Sequence, residues 1–75
     1  MILFGIQQVS TGLLLPYGPG NQKHTKARFT VGAAPRLFAT LKNAQTSRTM
    51  WLRWNPTFPA GDTRVVTVHV MPAVM

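Results

Sequence analysis

A single carboxylate side chain, Asp62, faces eight lysines and arginines in this 75-residue chain. Internal ion pairs can therefore contribute little, and acid–base catalysis by paired carboxylates is excluded because it needs two acids. The chain has no cysteine, which excludes disulfides and thiolate metal sites. With only His24 and His69 in addition, a zinc or calcium site would need backbone atoms or a second chain. We expect no metal and no cofactor.

The composition predicts a protein that works while bound to something else. A chain this short buries only a small core, so partners often supply part of its stability. Charged residues make up 12% of the chain, against about 25% in typical soluble domains, and apolar residues make up 45%. The net charge of +7 requires a counter-charge from nucleic acid, an acidic protein face or anionic lipid. The alternative is a small basic protein whose charge has no special partner.

The first 22 residues carry no charge, yet they predict neither a secretory signal nor a membrane span. A signal peptide needs a basic start before one continuous apolar block. A span needs about 20 mostly apolar residues, and the prolines and glycines from Pro16 to Gly20 interrupt the run. We expect a cytoplasmic or virion-associated protein that does not enter a membrane.

Proline and glycine divide the chain. Pro16 to Asn21 predicts a loop, because proline lacks a backbone donor and glycine disfavours regular structure. The chain is thereby divided into an uncharged N-terminal strand or arm together with this loop, 1–22, and a basic β domain, 23–75. Pro59 to Asp62 predicts a hairpin turn with a bulge.

Alternation with a period of two residues predicts strands along most of the remaining chain. The clearest is Thr63 to Met71, which is rich in β-branched residues. Three further strands are predicted, at Arg48 to Trp54, at 27–31 and at Met1 to Val9. The inward faces predict a core that includes Met50, Leu52, Val66, Val68 and Val70.

The segment from Arg36 to Lys42 fits two structures. A strand would direct Leu37, Ala39 and Leu41 inward. A helix starting after Pro35 would place Leu37, Phe38, Leu41 and Ala44 on one stripe. The neighbouring strands favour a strand. The chain as a whole is then mainly β, a small sandwich or barrel of four to six short strands with an extended N-terminal arm.

The candidate catalytic residues predict no enzyme. A nucleophile needs an adjacent base and an orienting group, but Asp62 falls in a predicted turn and His24 lies in a loop between two lysines. His69 falls on the more polar face of a predicted strand. No glycine-rich phosphate-binding motif is present. Each of these residues is expected to be a solvated or interface side chain.

Basic and aromatic residues are the candidate binding groups. Lys23, Lys26 and Arg28 form a cluster, and Arg53 is predicted to share an exposed strand face with Trp51. Arginine beside an exposed aromatic ring suits single-stranded nucleic acid. The alternative is that Trp51 and Trp54 anchor the core or a protein interface.

Three segments together, 29–32, 35–41 and 49–54, resemble the strand rhythm of small β-sandwich accessory proteins of phage virions, such as capsid cement and tail-associated domains. The resemblance covers about a third of the chain and includes no diagnostic motif. It implies uncharged arms that embrace neighbouring subunits, a role for which Met1 to Gln22 and Val65 to Met75 are suited.

These observations lead to three candidate functions, given in order of preference. The first is a non-enzymatic structural interaction module, a virion component such as a capsid-stabilising protein, which is incorporated as an oligomer and binds acidic surfaces of other subunits. The second is a small β-barrel that binds RNA or DNA non-specifically in a ribonucleoprotein particle. The third is an inhibitor that docks on a host protein.

Overall fold

The computed structural model describes residues 1–17 and 26–70. Four elements lie wholly within these residues: strand β1 (Ile2–Gln8), helix α1 (Leu41–Trp54), a short 3-10 turn (Ala60–Asp62) and strand β2 (Thr63–His69). The two strands pair antiparallel in one sheet. Among the described residues the fold is thus a two-stranded sheet with one helix.

The sheet joins the two ends of the described chain in a single register. Ile2 lies opposite His69, and Gln8 lies opposite Thr63. Met1 and Val70 exchange both backbone hydrogen bonds, with nitrogen–oxygen distances of 3.3 and 2.9 Å. Because hydrogen-bonded pairs alternate in an antiparallel ladder, Arg64, Val66, Val68 and Val70 direct their N–H and C=O groups toward β1. The backbone groups of Val65, Thr67 and His69 point away from it.

The other edge of β1 is occupied by irregular chain. Phe4 and Phe38 exchange two backbone hydrogen bonds of 2.8 Å, and Leu15 donates to the Ile6 carbonyl at 2.7 Å. The backbone N–H of Gln8 donates to the Leu13 carbonyl at 2.8 Å. β1 therefore lies in the middle of the fold, so the prediction of an extended N-terminal arm is wrong.

Helix α1 begins at a side-chain cap. The Thr40 hydroxyl accepts a hydrogen bond from the Asn43 backbone N–H at 3.1 Å, which satisfies one of the unpaired donors of the first turn. Ala44 and Trp51, seven residues apart, are buried against the sheet side, as the helical repeat of 3.6 residues requires. Arg48, between them, donates to the Thr63 hydroxyl at 2.9 Å and the Ala60 carbonyl at 3.0 Å. These bonds tie α1 to the start of β2.

Trp51 is the centre of the core. Its indole N–H donates to the Ala27 carbonyl at 3.1 Å, so the buried polar atom is satisfied. Its ring lies edge-on to Phe29 and Phe58, at centroid distances of 5.6 and 5.0 Å. Around it lie the other members of the main apolar cluster, both buried and half-buried: Ile6, Leu15, Ala27, Phe38 and Leu52.

The opposite face of the sheet carries a second, half-buried apolar layer around Gly5. A Cβ atom at Gly5 would lie 3.3 Å from Leu14 Cδ2 and 3.6 Å from Val68 Cγ2. Val66 and Val70 share this face with Val68 by alternation and are half-buried. The prediction that these three valines belong to the core is therefore wrong, and Met50 is 50% exposed. Leu52 packs against the core as predicted.

The predicted sandwich or barrel of four to six strands is not formed. The strands expected near Thr63 and Met1 are confirmed as β2 and β1. Arg48 to Trp54 is helical, because apolar residues on both of its alternating faces also fit one helical stripe. The segment 27–31 forms no ladder, and Ala27 uses its carbonyl for Trp51 instead.

Two further local predictions are corrected. The segment 36–40 makes one isolated bridge, at Phe38, rather than a strand, and the helix starts at Leu41 rather than after Pro35. Pro59 to Asp62 is a 3-10 turn that connects a helix to a strand, so it is no hairpin turn. The prediction of a turn here is correct, but the element before the turn is helix α1 and not the predicted strand.

The only acid of the chain is used to close the loop after β1. The Asp62 carboxylate accepts hydrogen bonds from the Ser10 hydroxyl at 2.7 Å, the Ser10 backbone N–H at 2.8 Å and the Gln8 side-chain amide at 3.2 Å. The bond from the Ser10 hydroxyl is the main cause of a lowered pKa of Asp62, and the other two act in the same direction.

The lowered pKa predicts acid sensitivity. A carboxyl whose pKa is depressed on folding adds stability above its unfolded pKa and loses it as the pH falls through the folded value. We expect the wild type to lose stability on acidification, whereas Asp62→Asn should lose less, because it lacks this carboxylate and no other acidic side chain exists. Urea unfolding between neutral and strongly acidic pH measures this. Equal slopes in the two proteins would contradict the role of Asp62.

Candidate partner-binding surfaces

The solvent side of α1 is the first candidate surface. We call it the α1 outer face; it borders a shallow depression of about 570 Å³ and consists of Lys42, Gln45, Thr46, Thr49, Met50, Arg53 and Trp54. These positions recur every three or four residues, so they form one stripe opposite buried Ala44 and Trp51. Met50 is 50% exposed and Trp54 is 68% exposed. Large apolar groups are thus presented to solvent in the middle and at the end of the stripe.

Two cations mark the ends of this stripe. Lys42 and Arg53 are eleven residues apart in the sequence, which is about 16 Å along a helix axis. No hydrogen bond within residues 1–17 and 26–70 uses either side chain, and Asp62 is held by Ser10 and Gln8. Both charges are therefore available to an acidic group from outside the chain.

A second candidate surface surrounds Tyr17. We call it the Tyr17 depression; it encloses about 230 Å³ and is lined by Pro16, Tyr17, Lys26, Arg28, Thr30 and Ala33. Tyr17 is 62% exposed. One Arg28 guanidinium nitrogen donates to the Ala27 carbonyl at 2.9 Å, while the Lys26 ammonium has no hydrogen-bond partner in the described part of the chain.

Arg36 lies between the two surfaces. Its guanidinium carbon is 5.8 Å from the centre of the Tyr17 ring and 5.0 Å from that of Phe38, within cation–π range. Arg36 and Phe38 also line a depression that reaches Thr46 and Met50 on α1. Basic and aromatic groups therefore continue from the Tyr17 depression to the α1 outer face.

The structure separates the sequence-predicted site residues into three groups. Arg53 and Trp54 lie on the α1 outer face, and Lys26 and Arg28 line the Tyr17 depression. Trp51 is 1% exposed, so the prediction that it shares an exposed face with Arg53 is wrong and its core alternative is confirmed. Lys23 lies outside the described residues.

Sequence reasoning missed four charged or large residues on or between these surfaces: Tyr17, Arg36, Lys42 and Met50. The signal for Lys42 and Met50 is their helical spacing with Thr46, Thr49 and Arg53. The alternating pattern instead predicts strands for the segments 36–42 and 48–54, which hides this spacing. Tyr17 and Arg36 are distant in sequence, and only the folded chain brings them together.

The remaining polar residues offer no metal cluster in the described part of the chain. No three histidine, cysteine or acidic side chains lie together there. His69 is exposed at the end of β2, and His24 lies outside the described residues. The absence of enzyme activity stays a prediction.

No helix in residues 1–17 and 26–70 is long and apolar enough to cross a membrane. Comparison with protein-family models, curated proteins and solved structures found no match to this chain.

Proposed function

We propose that the chain is a non-enzymatic interaction module whose α1 outer face binds an acidic surface of another protein in a larger assembly. The observation that carries this proposal is the exposure of Met50 and Trp54 on the same helix face as Lys42 and Arg53, on a chain whose one acid is used elsewhere. Tryptophan, methionine and arginine are enriched at protein interfaces, and tryptophan and arginine often dominate their binding energy.

Charge complementarity favours an acidic partner over a second copy for this face. Each α1 outer face carries Lys42 and Arg53 and no acid, so two such faces would repel each other on contact. An acidic helix or sheet surface would neutralise Lys42 and Arg53 and cover the apolar groups beside them. The same contact would explain why so few charged residues are needed on the surface of a chain this small.

The setting of that assembly stays a prediction. A role as a capsid-stabilising virion component was inferred from a resemblance to small β-sandwich proteins, and this chain forms a two-stranded sheet with a helix. The proposal above therefore depends on the α1 outer face and not on the resemblance.

The proposal is tested with a synthetic amphipathic peptide of glutamate and leucine, whose binding to the full chain is followed by fluorescence anisotropy. We expect binding near physiological salt. Trp54→Ala is expected to weaken binding about tenfold or more, as an interface hot spot would. Lys42→Gln combined with Arg53→Gln is expected to weaken it and to reduce its salt dependence.

The matched control is Lys26→Gln combined with Arg28→Gln. It removes the same number of charges from the Tyr17 depression and should leave peptide binding nearly unchanged. If the control weakens binding as much as the α1 variants do, net charge alone accounts for the interaction and the assignment to α1 is wrong.

One observation favours a second candidate function, binding of single-stranded nucleic acid. Tyr17 is exposed beside Lys26 and Arg28 and lies under Arg36, so a base could stack on its ring while cations meet phosphates. Tight binding of a labelled oligothymidylate at about 0.15 M salt, abolished by the Lys26→Gln and Arg28→Gln pair, would favour this function over the first.

A further inference from the structure

The outer edge of β2 has unpaired backbone groups. The N–H and C=O groups of Val65, Thr67 and His69 point away from β1, and no residue in 1–17 or 26–70 bonds to them. The Thr63 carbonyl, by contrast, accepts from Arg48 at 3.3 Å, so the free edge starts at Val65. The side chains of Thr67 and His69 are exposed to solvent as well. An edge of this kind is a template for another strand.

We propose that this edge pairs with the β2 edge of a second copy, so that two chains form one four-stranded antiparallel sheet. The pairing is two-fold symmetric, with Thr67 opposite Thr67 of the second copy and Val65 opposite His69. This register pairs all three outward-pointing residues of each strand. It is independent of the α1 outer face and of its acidic partner.

Side-chain contacts favour the same register. Val66 lies opposite Val68 of the second copy, and these valines are half-buried in the single chain. Such directly opposed β-branched pairs stabilise a sheet, as do opposed threonines. The half-buried layer around Gly5 then continues across both copies.

The charges of the two copies do not oppose this arrangement. Residues 65–69 carry no lysine, arginine or acid. Arg64 lies opposite Val70 of the second copy. The two Arg64 residues are therefore six residues apart, which is about 20 Å along a strand. That separation exceeds the Debye length of about 8 Å at physiological ionic strength. A register centred on Val65 would bring the two arginines much closer.

The assembly stops at two copies. After pairing, the outer strands of the sheet are the two β1 strands. The outward edge of each β1 strand is already hydrogen-bonded to Leu13, Leu15 and Phe38 of its own chain. A two-fold interface uses the same surface on both chains, so it is closed. We therefore expect a dimer and no filament.

The test is a charge swap at Thr67, followed by sedimentation of the full chain over a range of concentrations. The wild type is expected to dimerise. Thr67→Lys and Thr67→Glu, each measured alone, should associate about fivefold or more weakly, because like charges then lie directly opposite each other. An equal mixture of the two variants should recover the dimer, since lysine then faces glutamate.

The matched controls are Thr57→Lys and Thr57→Glu, at an exposed residue outside both strands. They change the net charge equally and should leave the wild-type dimer intact, alone or mixed. The recovery in the Thr67 mixture also shows that neither variant fails merely by unfolding. A wild type that is monomeric at every concentration, or a mixture no stronger than its components, would overturn the proposal. A dimer lost in Trp54→Ala but kept in the Thr67 variants would place the interface on α1 instead.

Discussion

Trp51→Ala is expected to remove most of the protein's free energy of unfolding at room temperature. The indole is 1% exposed, contacts Phe29 and Phe58, and satisfies the Ala27 carbonyl. Removing a buried aromatic side chain costs about 3–5 kcal/mol. Small domains are often stabilised by only about 5 kcal/mol or slightly more, so little stability would remain. Urea unfolding followed by circular dichroism measures the loss.

Trp54→Ala is the control for that experiment, because it removes the same side chain from the same helix at a site that is 68% exposed. Substitutions at such sites usually change stability by less than about 0.5 kcal/mol. Equal destabilisation by the two substitutions would mean that the core does not centre on Trp51. The pair also separates stability from binding, since only Trp54 lies on the α1 outer face.

Val66→Pro is expected to disrupt the sheet, whereas Thr67→Pro is expected to leave it folded. The N–H of Val66 points toward β1 at its pairing with Gly5, and proline has no N–H to donate. The unsatisfied Gly5 carbonyl alone costs about 1–3 kcal/mol, and the lost packing of the Val66 side chain adds to this. The N–H of Thr67 points outward, where proline is tolerated on an edge strand.

Thermal unfolding of the two proline variants provides the measurement. A melting temperature that falls strongly for Val66→Pro and only slightly for Thr67→Pro would support the register of the sheet. The reverse order would show that β2 pairs with β1 through the other set of residues. Because Thr67→Pro also removes an edge donor, it should weaken the proposed dimer even though the single chain stays folded.

The two strands could be read from the sequence because their signals are local. Five of the seven residues from Thr63 to His69 are β-branched, and such side chains pack well on a pleated surface whichever strand lies beside them. The small net contribution of ion pairs also followed from the single acid. The same local reasoning failed between Arg48 and Trp54, where apolar residues at 50, 51, 52 and 54 satisfy a strand and a helix equally well.

What the sequence by itself determined was therefore the existence of β1 and β2 and the excess of positive charge. The tertiary structure decided which of two nearby tryptophans is buried, because Ala27, Phe29 and Phe58 enclose Trp51 only when distant segments meet. It also decided that β1 pairs with β2 more than fifty residues away and that, within residues 1–17 and 26–70, one edge of β2 has no partner strand. Pairings of that kind depend on long-range contacts, and the pattern of a single segment contains no information about its distant partner.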